Sequence, residues 1–213
     1  MRRGNATARR RVTISLKAVI FDYGEVLSAP QRRHDIELMA SFIGMSPEQF
    51  QEACWRERLA YDAGRLTPTN YWKTVRQDLS QQQIEHLVEL DSHSWSEPNL
   101  PMVQRAANLR ATGMRTAILS NMPAPIREHV TEHAHWLPEF DLRIFSCDVG
   151  LTKPDAAIYR YCLNKLELEP GETLFLDDRE ANVESARSVG MNAVHFRGMT
   201  NLEADLQPYG DLA

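Results

Sequence analysis

Short continuous apolar runs bounded by Gly, Asp or Asn predict buried strands, and apolar residues three and four apart predict helices with one packed face. The run Leu16-Lys17-Ala18-Val19-Ile20-Phe21 reads as a first strand over 16–21 that ends on Asp22. The pattern then turns helical. One helix is predicted over 33–42. Ser46-Pro47-Glu48-Gln49 supplies an N-cap, a proline at the first helical position and an acidic first turn, so a second helix opens there and runs toward Tyr61. Ala63-Gly64-Arg65 breaks it. Thr67-Pro68 opens another through Tyr71, Trp72 and Val75, and Ser80 starts a fourth through Ile84, Leu87, Val88 and Asp91.

After Glu97-Pro98 strands and helices alternate. Helices are predicted over 103–111, 156–166 and 181–189, and strands over 115–119, 142–145, 173–176 and 193–196. The stretch holding Pro123, Pro125 and Pro138 reads as loose. Alternation of this kind implies an α/β fold with a parallel sheet covered on both faces. The expected organisation is a Rossmann-like core over 14–27 and 99–213, with an all-helical cap over 28–98 standing over the carboxyl edge of the sheet.

Composition narrows the class. The 213 residues are 43% hydrophobic and 25% charged, as in a soluble globular protein. No stretch approaches the length of a membrane span, and the N-terminus lacks the apolar segment of a secretory signal. Three cysteines without metal-ligand spacing read as reduced thiols, so a cytoplasmic protein is expected. Arg2, Arg3, Arg9, Arg10 and Arg11 mark a disordered basic arm over 1–13. Without those five, 24 − 5 = 19 basic groups face 29 acidic ones, a net charge of −10. An acidic body is a poor partner for nucleic acid. The oligomeric state is not legible.

Four strand ends carry candidate chemistry. Asp22 is a candidate nucleophile, since carboxylates attack phosphorus to form aspartyl phosphates. Ser120-Asn121 can donate to phosphate oxygens without adding charge. Lys153, at a loop–helix junction before Pro154, can pin a phosphate as a point charge. Asp177-Asp178 places two repelling carboxylates side by side, which a hard divalent cation such as Mg²⁺ would relieve. Each has a plainer reading: a helix cap, turn chemistry or a solvated lysine. Together they form an inventory suited to phosphoryl transfer, where positioning and charge neutralisation dominate.

Phe21-Asp22-Tyr23-Gly24, Leu119-Ser120-Asn121, Lys153-Pro154 and Leu176-Asp177-Asp178 with Asn182 resemble, in order, the four motifs of the haloacid dehalogenase-like (HAD) hydrolase superfamily, over about 16–198. The run from Gly150 to Tyr159 resembles the subgroup of glucose-1-phosphatase-like proteins and the phosphatase domain of soluble epoxide hydrolase. The resemblance implies a Rossmann-like core, a helical cap inserted after the first motif, and Mg²⁺-dependent attack on a small phosphorylated metabolite. It implies Asp22, the Gly24 carbonyl and Asp178 as metal ligands, with Asp177 a ligand or their support, and Ser120, Asn121 and Lys153 on the phosphate. One departure matters. Most phosphatases of the superfamily carry a second Asp at the position of Gly24, as general acid and base. Its loss favours good leaving groups, among them sugar 1-phosphates, and leaves Glu25 and His34 as possible substitutes. Two alternatives stand beside the phosphatase: a metal-independent 2-haloacid dehalogenase, and a non-catalytic binding or regulatory member of the fold. Trp55, Arg56, Tyr61 and Trp72 are candidates to line the pocket, against the plainer reading of helix packing.

Overall fold

Five strands form one all-parallel sheet in the computed structural model, which describes residues 16–210 and 212. The basic arm expected over 1–13 lies outside these residues. The strands are β1 (Ala18–Phe21), β2 (Arg115–Ser120), β3 (Leu142–Phe145), β4 (Thr173–Asp177) and β5 (Asn192–His195), in the order β3-β2-β1-β4-β5. The α/β class expected from the alternating pattern is therefore observed.

Successive side chains of a strand point to opposite faces. In β1 Val19 and Phe21 enter one apolar cluster, and Ala18 and Ile20 enter another. In β4 Leu174 and Leu176 join the first and Phe175 the second. Both faces are buried, which is why these strands read as unbroken apolar runs rather than alternating ones. β1 lies at the centre, bonded to β2 and β4. Asp22, Ser120 and Asp177 consequently come to the same edge of the sheet.

Between β1 and β2 lie helices α1 (Arg33–Phe42), α2 (Pro47–Arg56), α3 (Arg58–Asp62), α4 (Pro68–Val75), α5 (Gln81–Ser94) and α6 (Leu100–Ala111). Reciprocal capping boxes open α2 at Ser46 with Gln49, and α5 at Ser80 with Gln83. Helices α1 to α5 bury an apolar cluster of their own around Phe50, Tyr71, Trp72 and Leu87. The two segments joining them to the sheet run paired. Ser28 bridges Pro98 antiparallel, and Ala29 N–H donates to the Glu97 carbonyl at 2.7 Å. The remaining helices are α7 (Ala124–His133), α8 (Ser146–Val149), α9 (Ala156–Leu166), α10 (Glu180–Ser188) and α11 (Met199–Leu206).

The sequence pattern departs from the structure in several places, the short helix α8 among them. The helix expected to run from Ser46 toward Tyr61 is interrupted at Glu57, which leaves helical geometry. Helix α6 starts at Leu100, with Pro101 in its first turn where no backbone donor is needed. The stretch read as loose contains α7, whose Pro125 is likewise tolerated in the first turn. Helix α11, toward the end of the chain, was not anticipated.

Candidate active site

The chain leaves β1 at Asp22 and turns at once. Ser28 N–H returns to the Tyr23 carbonyl at 2.8 Å, and Glu25 adopts φ +57°, a left-handed conformation uncommon outside glycine. Asp22 Oδ1 accepts from Tyr23 N–H at 2.6 Å and from the Lys153 ammonium at 2.8 Å. One carboxylate oxygen is thus fixed by two donors, and among the described residues no donor engages Oδ2.

Asp177 is saturated. Its Oδ2 accepts from Lys153 Nζ at 2.6 Å, and its Oδ1 accepts from Arg179 N–H and Asn182 Nδ2, both at 2.9 Å. It is 0% exposed and lies behind the lysine. Asp178, half-buried, keeps its carboxylate free of such bonds among the described residues. One oxygen from each of Asp22, Asp177 and Asp178 lies within 4.8 Å of the others.

Lys153 is itself held by Asn121. The Asn121 amide donates to the Lys153 carbonyl at 2.8 Å and accepts from the Lys153 N–H at 2.8 Å. Its side chain thus clamps the loop that carries the lysine, while Asn121 also lines the cavity with its second amide N–H outside these two bonds. Ser120, at the end of β2, is buried and lines the cavity.

Burial pushes the Asp22 carboxyl up to about 7, against the pull of Lys153 and with repulsion from Asp177 and Asp178. Asp178 rises to about 6, chiefly through burial and then through Asp177 and Glu25. Burial opposes the Lys153 ammonium, but the Asp177 and Asp22 carboxylates outweigh it and hold its pKa above the ordinary lysine value. Three carboxylates against one ammonium leave the ionised site at −3 + 1 = −2.

A cavity of about 70 Å³ opens on these groups, with Gly24, Glu25 and Asn182 in its lining. Of the cap residues singled out from the sequence, Trp55 reaches it. Tyr61 and Trp72 are buried in the apolar cluster of the helical segment instead, and Arg56 and His34 lie outside the lining. The pattern did not single out Trp95, Arg179, or Arg58 with its partners Asp62 and Asp91. Arg179 directly follows the acidic pair, which is the one local signal it offered. The Arg58–Asp91 contact spans 33 positions and left no trace in spacing.

The family described as haloacid dehalogenase-like hydrolase matches residues 16–190. The chain belongs to the haloacid dehalogenase-like hydrolases. This is the family the ordered motifs implied, and Asp22, Ser120, Lys153 and Asp177 fall within the matched segment. Bifunctional epoxide hydrolase 2 of Sus scrofa is 31% identical over 151 residues, covering 69% of this chain and 25% of that protein. The sesquiterpene phosphatase astK of Aspergillus oryzae is 25% identical over 184 residues, covering 85% of this chain and 90% of that one. The chain spans a quarter or less of the length of the epoxide hydrolases and the acyl-CoA dehydrogenase family member it matches. A HAD family enzyme of Bacteroides thetaiotaomicron, solved with magnesium and inorganic phosphate, superposes with a TM-score of 0.67 at 20% identity, covering 88% of this chain and 98% of that one. That likeness is one of fold. No helix among the described residues is long and apolar enough to cross a membrane.

Proposed function

We propose that this hydrolase is a Mg²⁺-dependent phosphatase that cleaves a small phosphate monoester through an aspartyl phosphate on Asp22. The observation that carries the reading is the wiring of Lys153. One buried ammonium is shared by Asp22 and Asp177, while Asp178 is left unpaired beside them. A divalent cation would bring the site from −2 to neutrality. The oxygens open to it, Asp22 Oδ2 and the Asp178 carboxylate, are hard donors that leave room for water and phosphate, as Mg²⁺ requires. Gly24, whose carbonyl the resemblance adds to this set, lines the same cavity. The name of the phosphatase relative and the magnesium and phosphate bound to the Bacteroides enzyme point the same way.

In this reading the Asp22 carboxylate attacks phosphorus, the phosphorus–leaving-oxygen bond breaks, and water then displaces the phosphoryl group from Asp22. Mg²⁺ supplies charge neutralisation for the phosphoryl oxygens. Lys153 draws Asp22 toward its ionised form and orients it, and Ser120 offers a hydroxyl to the phosphate. Asp177 and Asn121 act on the lysine. Residues 28–98 serve as the cap over the core formed by 14–27 and 99–213. Gly24 brings no carboxyl, so esters whose leaving oxygen needs little protonation are favoured: anomeric sugar 1-phosphates, acyl phosphates and aryl phosphates.

The test is hydrolysis of p-nitrophenyl phosphate with Mg²⁺, with EDTA, and after Mg²⁺ is restored. Activity should vanish with EDTA and return. Asp178→Ala should raise the Mg²⁺ concentration required far more than it lowers the unfolding midpoint. Undiminished hydrolysis in EDTA would reject the metal-assisted reading.

A further inference from the structure

Asp178 is held differently from the two carboxylates beside it. Asp22 and Asp177 are fixed through their own oxygens, whereas the Asp178 carboxylate makes no hydrogen bond among the described residues. A side chain without such bonds is aimed by its backbone, so whatever holds that backbone sets where its oxygens stand.

Only Asp178 and Arg179 lie between β4 and α10. Arg179 N–H is tied to Asp177 Oδ1 at 2.9 Å, and the Asp177 carbonyl accepts from Phe196 N–H at 2.8 Å. The Asp178 carbonyl is held from the neighbouring edge strand. His195, the last residue of β5 and the register partner of Asp177, donates to it from Nε2 at 2.7 Å. Among the described residues no other donor reaches this carbonyl. A carbonyl only accepts, so Nε2 carries a proton. The other ring nitrogen, Nδ1, lies 2.5 Å from Glu180 Oε2, at the start of α10. The carboxylate is an acceptor too, so both ring N–H groups are engaged and the plane of the ring is fixed.

Glu180, His195 and the Asp178 backbone form a chain from the first turn of α10, through β5, to the unbonded carboxylate. The imidazolium and carboxylate of the pair cancel in charge, so its effect on Asp178 is one of geometry. The His195 and Glu180 side chains are 29% and 53% exposed, so neither is needed to fill the core. Neither lines the cavity, so neither meets the substrate. Hydrogen-bonded partners behind a ligating group orient it and tune its affinity for a metal. Resting on the Mg²⁺ reading above, we infer that His195, oriented by Glu180, is the positioning residue for Asp178 and sets the affinity of the site for its divalent cation.

Electron paramagnetic resonance of Mn²⁺ in place of Mg²⁺ tests this on the full chain without any turnover, at the site that Asp178→Ala removes. His195→Leu should weaken Mn²⁺ binding at least about ten-fold. Glu180→Ala should weaken it by a smaller factor. His195→Gln, whose amide still donates toward the carbonyl, should recover most of the loss. In hydrolysis of p-nitrophenyl phosphate, the Mg²⁺ concentration at half-maximal rate should rise in step, while kcat at saturating Mg²⁺ stays within about two-fold of the wild type. A merely structural role would lower the urea midpoint and leave the metal affinity alone. If His195→Leu does not fold, the exposed Glu180→Ala decides the case. Unchanged Mn²⁺ affinity in Glu180→Ala or in folded His195→Leu, or a loss in His195→Gln equal to that in His195→Leu, would overturn the proposal while leaving a Mg²⁺-dependent phosphatase. Metal affinity that depends on His195 in a protein that hydrolyses no ester would uphold the positioning role and reject the phosphatase.

Discussion

A carboxylate buried beside two others resists ionisation, and Asp22 carries the consequence in a pKa of about 7, with Asp178 following at about 6. The unfolded chain releases both protons near 3.8. Between those values the folded protein binds more protons than the unfolded chain, so its stability falls as pH rises from about 4 to about 7. The urea midpoint of metal-free protein should therefore be lower at about pH 7.5 than at about pH 5. The slope should shrink in Asp22→Asn, which retains the Lys153–Asp177 pair. A slope unchanged by that substitution would contradict the assignment. Gly24 poses the second question at this scale. Its φ of −60° and ψ of 130° suit any residue, and an added Cβ would meet Trp95 at 3.5 Å, an ordinary contact. The backbone does not demand glycine there. Gly24→Asp should fold and should raise kcat/KM for octyl phosphate more than for p-nitrophenyl phosphate, because only the poor leaving group needs a proton. Equal changes would place proton delivery elsewhere.

At the scale of elements, strand ends and caps were the legible features. The apolar run into Asp22, the capping boxes at Ser46 and Ser80, and the alternation after Pro98 each follow from local rules, and the all-parallel sheet follows from them. Helix α7 was hidden because three prolines suggested a loop, although Pro125 sits where a helix accepts it. Two features of the site were beyond local rules. The Asn121 amide clamps the backbone of Lys153 across 32 positions, and Asp177 spends both oxygens behind the lysine. Such pairings are set by the fold, so a motif shows which residues gather but not which atoms remain free. The turn after α3 makes a checkable case. Gly64 has φ +70°, and a Cβ there would meet the Cys147 carbonyl at 3.1 Å. Gly64→Ala should cost about 1–3 kcal/mol through backbone strain and this crowding. A urea midpoint equal to that of the wild type would show that the turn is not tightly held.

Across the molecule, the helical segment meets the sheet and its flanking helices through the packing of α5 on α7 and through specific contacts at the site. The Ser146 hydroxyl donates to the Asp62 carbonyl at 2.5 Å, Gly64 approaches Cys147, and Trp55 stacks on Arg179. These contacts hold the helical segment over a carboxylate floor. The floor makes the central claim: Asp22 takes the phosphoryl group. Acid quench of the Mg²⁺-loaded protein during turnover of p-nitrophenyl phosphate, followed by peptide mass analysis, tests it directly. The peptide holding Asp22 should carry one phosphoryl group, and Asp22→Asn should carry none and lose turnover by at least ~10³-fold. A wild type that turns over without phosphorylated Asp22, or an Asp22→Asn variant that keeps more than a few per cent of the activity, would contradict it.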